Sequence, residues 1–274
     1  NFLYSNQIRI NLDKLNLDSF NKGLFLNEKL IINSLKKIIF KDPTWERILT
    51  KLRRDVCDLI ANNKGELTKW QLKFIIALAE QCFSNEYIYS IHKDETKSLE
   101  KIISICKKEK LNEVNLSIVA CYLPIYKLID KIPSIKYLKS SDNEFKELLK
   151  LQLFEPLEEI KIAKKIEKIG SITDHISQKV RSQYEENPYP RWRFEDPSAT
   201  SKYSAVKVIN TEINPNSISY NFEAKPLKIL IAGCGTGLQI IQAQRYKNSF
   251  ITAIDISSSS LSFAQRKINE LGIN

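Results

Sequence analysis

Three glycines and one aspartate have the types and the spacing of a ligand-binding turn. Gly233, Gly235 and Gly237 follow an apolar run of strand length and precede a stretch of helical periodicity, and Asp255 stands eighteen residues beyond the last glycine. Glycine suits such a turn because it adopts positive φ and lets a ligand approach the backbone closely. At the carboxyl ends of two parallel strands, a carboxylate at the position of Asp255 can accept hydrogen bonds from both hydroxyls of a ribose.

The glycine spacing leaves three interpretations open. The dinucleotide fingerprint Gly-x-Gly-x-x-Gly or Ala needs a small residue at position 238, where this sequence has Leu238. The third glycine comes one position early, at Gly237, and this spacing resembles the turn of a different cofactor class. The remaining interpretation is a tight turn with no ligand in an unrelated α/β fold. Cys234 is interpreted as a small residue within the turn and not as a nucleophile, because no histidine stands near it in the sequence.

The turn and its aspartate resemble motif I of the class I S-adenosylmethionine-dependent methyltransferases. The resemblance implies that the turn lies beside the methionine part of S-adenosylmethionine, through Gly233, Cys234, Gly235 and Gly237. It also implies that Asp255 holds the ribose and that Ile256 lies near the adenine.

A second resemblance lies just upstream of the glycine motif. Residues 180–192, which include the string Tyr-Glu-Glu-Asn-Pro-Tyr-Pro-Arg-Trp at 184–192, look like a segment of a bacterial methyltransferase group. Proteins of that group often carry tetratricopeptide repeats. Residues 79–87 and 155–159 also resemble this group, so the likeness spans residues 43–274.

The aromatic and basic residues of this upstream segment have two possible roles. A helix that ends near Tyr184, followed by a proline-stiffened loop, can lie over the cofactor cleft. Tyr184 or Arg191 would then bind the cofactor's carboxylate, and Trp192 would shield it from water. Alternatively, Tyr189 and Trp192 anchor a joint between domains, and for Trp192 this anchoring role is the favoured one.

The elements that position these residues follow from hydrophobic periodicity. From residue 27 to 187 apolar residues recur at intervals of three and four, which is typical of helices. Asp42 and Pro43 open one helix as cap and first residue, and Thr68 opens the next, whose apolar stripe is Leu72, Ile75, Ile76 and Ala79. Residues 205–209 are predicted to form a short strand.

The order of elements changes after residue 226. Residues 227–232 and 250–254 are apolar runs of strand length, each followed by a helical stretch, and this order opens a doubly wound sheet. The first run is almost wholly apolar, which is typical of a parallel strand covered on both faces. We therefore expect an α-helical N-terminal domain followed by the first part of an α/β Rossmann-like methyltransferase domain. The expected parts are a helical domain at 1–170, a connecting helix and Pro-rich loop at 171–204, and the start of the Rossmann-like domain at 205–274.

Composition places limits on the class of protein. The chain has 42 basic and 32 acidic residues and a net charge of +10, but 33 of the basic residues are Lys, which indicates AT-rich coding bias. Five cysteines without a C-x-x-C pair indicate reduced thiols and a cytoplasmic location, and His92 and His175 are too isolated for a metal site. No signal peptide or membrane span is recognisable. Because the sequence lacks Met and stops after a predicted helix, it is expected to be truncated at both ends.

The expected function is methyl transfer from S-adenosylmethionine to an unidentified acceptor, with a small molecule or a protein favoured over nucleic acid. In the resembling superfamily, acceptor-binding residues follow the third and fourth strands, so this chain alone is expected to bind the cofactor weakly and to show no turnover. Two alternatives remain. One is an RNA-modifying methyltransferase, although the cations are not concentrated in one region. The other is a helical interaction module with a non-catalytic α/β remnant, for which a modest basic cluster is the candidate surface: Lys51, Arg53, Arg54, Lys64, Lys69 and Lys73.

Overall fold

The structure is a computed structural model that describes residues 29–109, 111–194, 202–219 and 225–273. The chain divides into two compact units, Asn1–Pro156 and Leu157–Asn274. Among the described residues, no helix is long and apolar enough to cross a membrane.

The first unit is a helical domain built around one central helix. Its helices are α1 (Lys29–Lys37), α2 (Pro43–Ala61), α3 (Lys69–Ser84), α4 (Lys93–Lys108), α5 (Glu113–Val119) and α6 (Asn143–Leu149). Two short 3₁₀ turns cover Ile125–Leu128 and Pro133–Tyr137. A π-turn at Lys150–Phe154 leads into α7 (Glu155–Ala163), of which the residues from Leu157 onward belong to the second unit. The central helix is α3, which packs against α1, α2, α5 and α6.

Two helix starts in this unit confirm the capping signals of the sequence. The carboxylate of Asp42 accepts from the backbone N–H groups of Thr44 and Trp45 at 2.8 and 3.2 Å. Thr68 and Gln71 form a reciprocal capping box, with the side chain of each accepting from the other's backbone N–H. Both caps satisfy N–H groups that the first turn of a helix leaves without partners.

More residues of α3 are buried than the one-sided apolar stripe predicted. Every residue from Phe74 to Phe83 is buried, including Ala77 and Leu78 on the side opposite the stripe. A helix that is covered on several sides has no solvent-facing stripe, and α3 has α1, α2, α5 and α6 as helical neighbours. The core of the first unit is therefore centred on α3.

Arg53 does not belong to a surface basic cluster, contrary to the sequence interpretation. Its side chain is 2% exposed, and Nε donates to Glu95 Oε1 at 3.0 Å while Nη2 donates to the carbonyl of Ser90 at 2.7 Å. The hydroxyl of Tyr122 donates to the same Glu95 oxygen at 2.6 Å, and the guanidinium lies 4.5 Å from the centre of the Tyr122 ring. The partner that buries Arg53 lies 42 residues away, so local sequence did not reveal it.

The second unit contains a two-stranded parallel sheet. Its elements in chain order are α8 (His175–Glu186), α9 (Ala205–Glu212), β1 (Leu227–Ala232), α10 (Leu238–Ala243), β2 (Ser249–Ile254) and α11 (Ser258–Glu270). The strands pair in parallel from Leu227 opposite Ser249 to Ala232 opposite Ile254. The predicted order of strand, helix, strand and helix is confirmed.

The two strands are covered on one face only within the described residues, so the expectation of burial on both faces is wrong for this part of the chain. Ile231 and Ile251 pack inward against a small core of Cys234, Ile240 and Ala264. On the opposite face, the side chains of Leu230 and Phe250 are 64% and 68% exposed. Both helices that follow the strands contribute to the inner core, which leaves the outer face open.

The predicted strand at residues 205–209 is also wrong, because this segment begins helix α9. The hydroxyl of Ser204 accepts from Lys207 N at 3.3 Å and caps the helix. Ala205 and Val208, three residues apart, are the buried positions. The apolar residues in this short segment suit the inner face of one helical turn as well as they suit a strand, and the serine cap indicated the helix.

Candidate cofactor-binding site

The glycine turn lies between the carboxyl end of β1 and the start of α10. Gly233, Gly235 and Gly237 adopt φ of +73°, +51° and +87°, a region that residues with a Cβ rarely occupy. The N–H groups of Gly233 and Cys234 both donate to the carbonyl of Ile254, at 2.8 and 3.1 Å. These bonds hold the turn beside the end of β2.

The three glycines differ in what surrounds them. A Cβ built on Gly237 would lie 2.6 Å from the Cβ of Ala264, so this glycine permits close packing of the turn on α11. A Cβ built on Gly233 or Gly235 would meet no atom within 4 Å. The backbone of these two residues therefore borders open space, and a ligand can approach it.

Asp255 connects the glycine turn to the loop that precedes α11. Its Oδ2 accepts from Gly235 N at 2.8 Å, and its Oδ1 accepts from Ser257 N at 2.9 Å. A carboxylate oxygen can accept two hydrogen bonds, so each oxygen keeps one acceptor position for a ligand. Asp255 is partly exposed, and Ile256 beside it is 40% exposed.

Cys234 is buried within the turn and packs against Ile240 and Ala264. Burial raises the pKa of its thiol to about 11, and the nearby charge of Asp255 acts in the same direction. The thiolate is the nucleophilic form of cysteine, so this side chain is unreactive at neutral pH.

The segment at 184–192 contacts both loops of the site. Thr236, inside the glycine turn, donates its hydroxyl to the carbonyl of Pro190 at 2.8 Å and accepts at its own carbonyl from Trp192 Nε1 at 2.9 Å. The Trp192 ring also meets Phe263 of α11 edge to face, with centroids 6.0 Å apart. These contacts hold Trp192 against the glycine turn and α11 within the second unit.

Tyr184 and Arg191 occupy different surroundings. The carbonyl of Tyr184 accepts from the hydroxyl of Ser257 at 3.0 Å, and its side chain remains 41% exposed beside the loop of Asp255. Arg191 lies 3.6 Å from the carboxylate of Glu159, which also accepts from Arg266 Nε at 2.8 Å. Arg191 therefore contributes to an ion-pair network of the protein, whereas Tyr184 stays accessible.

Glu185 is a residue of this region that the sequence analysis did not select. Its carboxylate accepts from the backbone N–H groups of Ser258 and Ser259 at 2.8 and 3.0 Å and from both of their hydroxyls. Burial raises the pKa of Glu185, but these hydrogen bonds outweigh it and the net pKa is lowered. Four consecutive serines at a predicted helix start were the signal, since the free N–H groups of a first turn attract a carboxylate.

Among the described residues, no group of three or more His, Cys, Asp and Glu side chains is arranged to hold a metal ion. Comparison of the chain with protein-family models, with curated proteins and with solved structures finds no match.

Proposed function

We propose that this chain belongs to an S-adenosylmethionine-dependent methyltransferase. The observation that carries the proposal is the pairing of two features at the carboxyl ends of parallel strands. The backbone of Gly233 and Gly235 faces open space, and Asp255 is held beside it with an acceptor position left on each carboxylate oxygen. In open parallel sheets, ligands bind at the carboxyl ends of the strands.

The residues present fit the cofactor that the sequence resemblance implies. The methionine part would lie along the turn, where added Cβ atoms would otherwise fill the space above Gly233 and Gly235. The ribose would bind the two available acceptor positions of Asp255. The half-exposed side chains of Ile256 and Tyr184 would border the adenine and the mouth of the cleft.

The start of α10 supports this cofactor over a dinucleotide. Leu238 is the first residue of that helix and is 40% exposed, at the position where the dinucleotide fingerprint needs a small residue. The third small residue of that fingerprint permits close packing of the helix, and in this chain Gly237, one position earlier, has that packing role against Ala264. The proposed cofactor has no pyrophosphate.

When bound, S-adenosylmethionine supplies a methyl group on a sulfonium, which departs as a neutral thioether. The protein's part is then mainly to position cofactor and acceptor. Asp255 orients the ribose, and the backbone of the turn orients the methionine part. Cys234 stays a protonated thiol at neutral pH and does not compete for the methyl group.

The finer fold that we propose is a Rossmann-like sheet that extends beyond β1 and β2. Parallel sheets are almost always covered on both faces, whereas here Leu230 and Phe250 are exposed. A groove of about 350 Å³ runs between β1 and α10, bordered by Ala232, Gln239 and Tyr246 among others. A third parallel strand hydrogen-bonded along the other edge of β1, with a helix over Leu230 and Phe250, would complete both layers.

Isothermal titration calorimetry of the full-length protein tests the cofactor. We expect S-adenosylhomocysteine to bind with one-to-one stoichiometry and NAD⁺ to give no heat of binding. Binding of NAD⁺ without binding of S-adenosylhomocysteine would assign the turn to a dinucleotide, and binding of neither would leave the turn without a ligand role.

Asp255→Ala in the complete protein tests the ribose contact. Hydrogen bonds to charged groups contribute about 1.5–3 kcal/mol each, so loss of two of them lowers the affinity for S-adenosylhomocysteine by about 100-fold or more. Asp130→Ala, which removes an exposed carboxylate of the helical unit, is the control and leaves the affinity unchanged. Unaltered affinity in folded Asp255→Ala protein would show that the ribose lies elsewhere.

A further inference from the structure

The start of helix α11 is capped from two directions. Its N-cap residue Ser257 accepts from Ser260 N at 3.0 Å, which is a local cap. The N–H groups of Ser258 and Ser259 instead donate to Glu185, a residue of α8 that precedes them by more than 70 positions. A helix start can be capped by nearby residues alone, so the use of a carboxylate from another element has a consequence beyond capping: it fixes α8 to this loop.

The residues fixed in this way are the ones that the proposed function assigns to the adenosine half of the cofactor. Asp255 and Ile256 directly precede Ser257. Ser257 is fully buried; its N–H donates to Asp255 Oδ1 and its hydroxyl donates to the carbonyl of Tyr184. The loop from Asp255 to Ser259 is thus tied to the glycine turn on one side and to α8 on the other.

The position of Glu185 is itself determined by its neighbours on α8. Arg181, one helical turn earlier, lies 3.6 Å from its carboxylate, and the preceding Tyr184 provides the carbonyl that Ser257 reaches. Tyr184 and Glu185 therefore bind consecutive residues of one loop. Loss of the Glu185 contacts would free the N–H groups of Ser258 and Ser259 and release one side of the loop that orients Asp255.

We propose that Glu185 is a positioning residue that sets how well Asp255 recognises the ribose hydroxyls of the cofactor. This inference rests on the proposed function. Glu185 itself does not touch the cofactor. It acts through residues 255–259. Its removal therefore lowers the affinity that the ribose hydroxyls contribute, in addition to any loss of stability.

The test compares Glu185→Gln with Glu186→Gln in the complete protein. Glu186 is the exposed neighbour on the same helix and serves as the matched control. For each variant, calorimetry measures the affinity for S-adenosylhomocysteine and for its 2′-deoxy analogue. The ratio of the two affinities reports the hydroxyl contact alone, because a general loss of stability lowers both affinities together.

In the unaltered protein and in Glu186→Gln, we expect S-adenosylhomocysteine to bind about tenfold or more tightly than the deoxy analogue. In Glu185→Gln, this ratio falls by about tenfold, as for residues coupled in one hydrogen-bond network. An unchanged ratio in Glu185→Gln, with only the melting temperature lowered, overturns the inference and leaves Glu185 as a helix cap.

A milder variant keeps the test decisive if Glu185→Gln does not fold. Ser258→Ala with Ser259→Ala removes the two hydroxyl donors to Glu185 and leaves the two backbone donors in place. This double variant should lower the ratio by a smaller factor, about threefold, and an unchanged ratio in it also overturns the inference.

If the unaltered protein binds S-adenosylhomocysteine but does not discriminate against the deoxy analogue, the cofactor proposal stands and the role of Glu185 fails. If it binds neither ligand, both fail.

Discussion

The three glycines of the turn show how one residue type serves two purposes. Gly233 and Gly235 need positive φ but lie beside open space, whereas Gly237 needs positive φ and also has Ala264 against it. The first two keep the backbone accessible to a ligand. The third lets the turn pack closely on α11 and thereby stabilises the second unit.

Comparison of Gly237→Ala with Gly170→Ala separates the cost of positive φ from the cost of the overlap with Ala264. Gly170 also has positive φ, at +70°, but an added Cβ meets nothing within 4 Å, so its substitution introduces backbone strain alone, about 1–2 kcal/mol. Gly237→Ala adds the overlap with Ala264 and destabilises by about 1–3 kcal/mol more. Urea unfolding followed by circular dichroism measures both. Equal losses in the two variants would show that α11 moves away at little cost.

At the scale of elements, α3 is buried on several sides, whereas each of the two strands is covered on one face. Helix α3 is covered on several sides, and its Phe74 is fully buried. The strands β1 and β2 use one face only, so alternate residues point to solvent. The core of the helical unit therefore depends on α3 more than on any amphipathic surface helix.

Phe74→Ala tests the central position of α3. Removal of a fully buried phenylalanine ring destabilises a core by about 3–5 kcal/mol, through lost burial and the cavity that remains. Tyr137→Ala in the same unit removes a side chain that is 82% exposed and should change stability by less than about 0.5 kcal/mol. Thermal and urea denaturation measure both variants. A loss below about 1 kcal/mol for Phe74→Ala would show that α3 is not the centre of the core.

At the scale of the whole molecule, all five cysteines are unpaired thiols and all are buried. Burial raises the pKa of Cys57, Cys106 and Cys234 to about 11, against an ordinary value of 9.0. The unfolded chain therefore loses these protons at lower pH than the folded chain does. Their contribution to stability is complete below pH 9 and is lost as the pH rises through 11.

The prediction for thiols is twofold. The native protein at pH 8 should react with Ellman's reagent at no thiol during minutes of incubation, whereas the urea-unfolded protein reacts at all five. The urea concentration at the unfolding midpoint should decrease as the pH is raised from 9 to 11. Rapid reaction of one thiol in the native state would identify a cysteine that is more accessible than the structure shows.

The sequence by itself determined the features that depend on near neighbours. The caps at Asp42 and Thr68, the strand at residues 227–232 and the glycine turn were all readable, because each is specified within a few residues by backbone hydrogen bonds or by φ. The prediction of a strand at residues 205–209 was wrong although the signals there are local. The short apolar segment suits either a strand or a helix, and the cap at Ser204 favours the helix.

Only the tertiary structure decided which charged side chains have buried or distant partners. The sequence placed Arg53 in a basic cluster and did not single out Glu185, because their partners lie 42 and 73 residues away. Whether a charge is solvated depends on which surfaces the packing of helices and strands brings against it, and periodicity along one helix carries no record of that. The same holds for Asp255: its spacing suggested a ligand contact, whereas its hydrogen bond from Gly235, twenty residues away in the sequence, came from the fold.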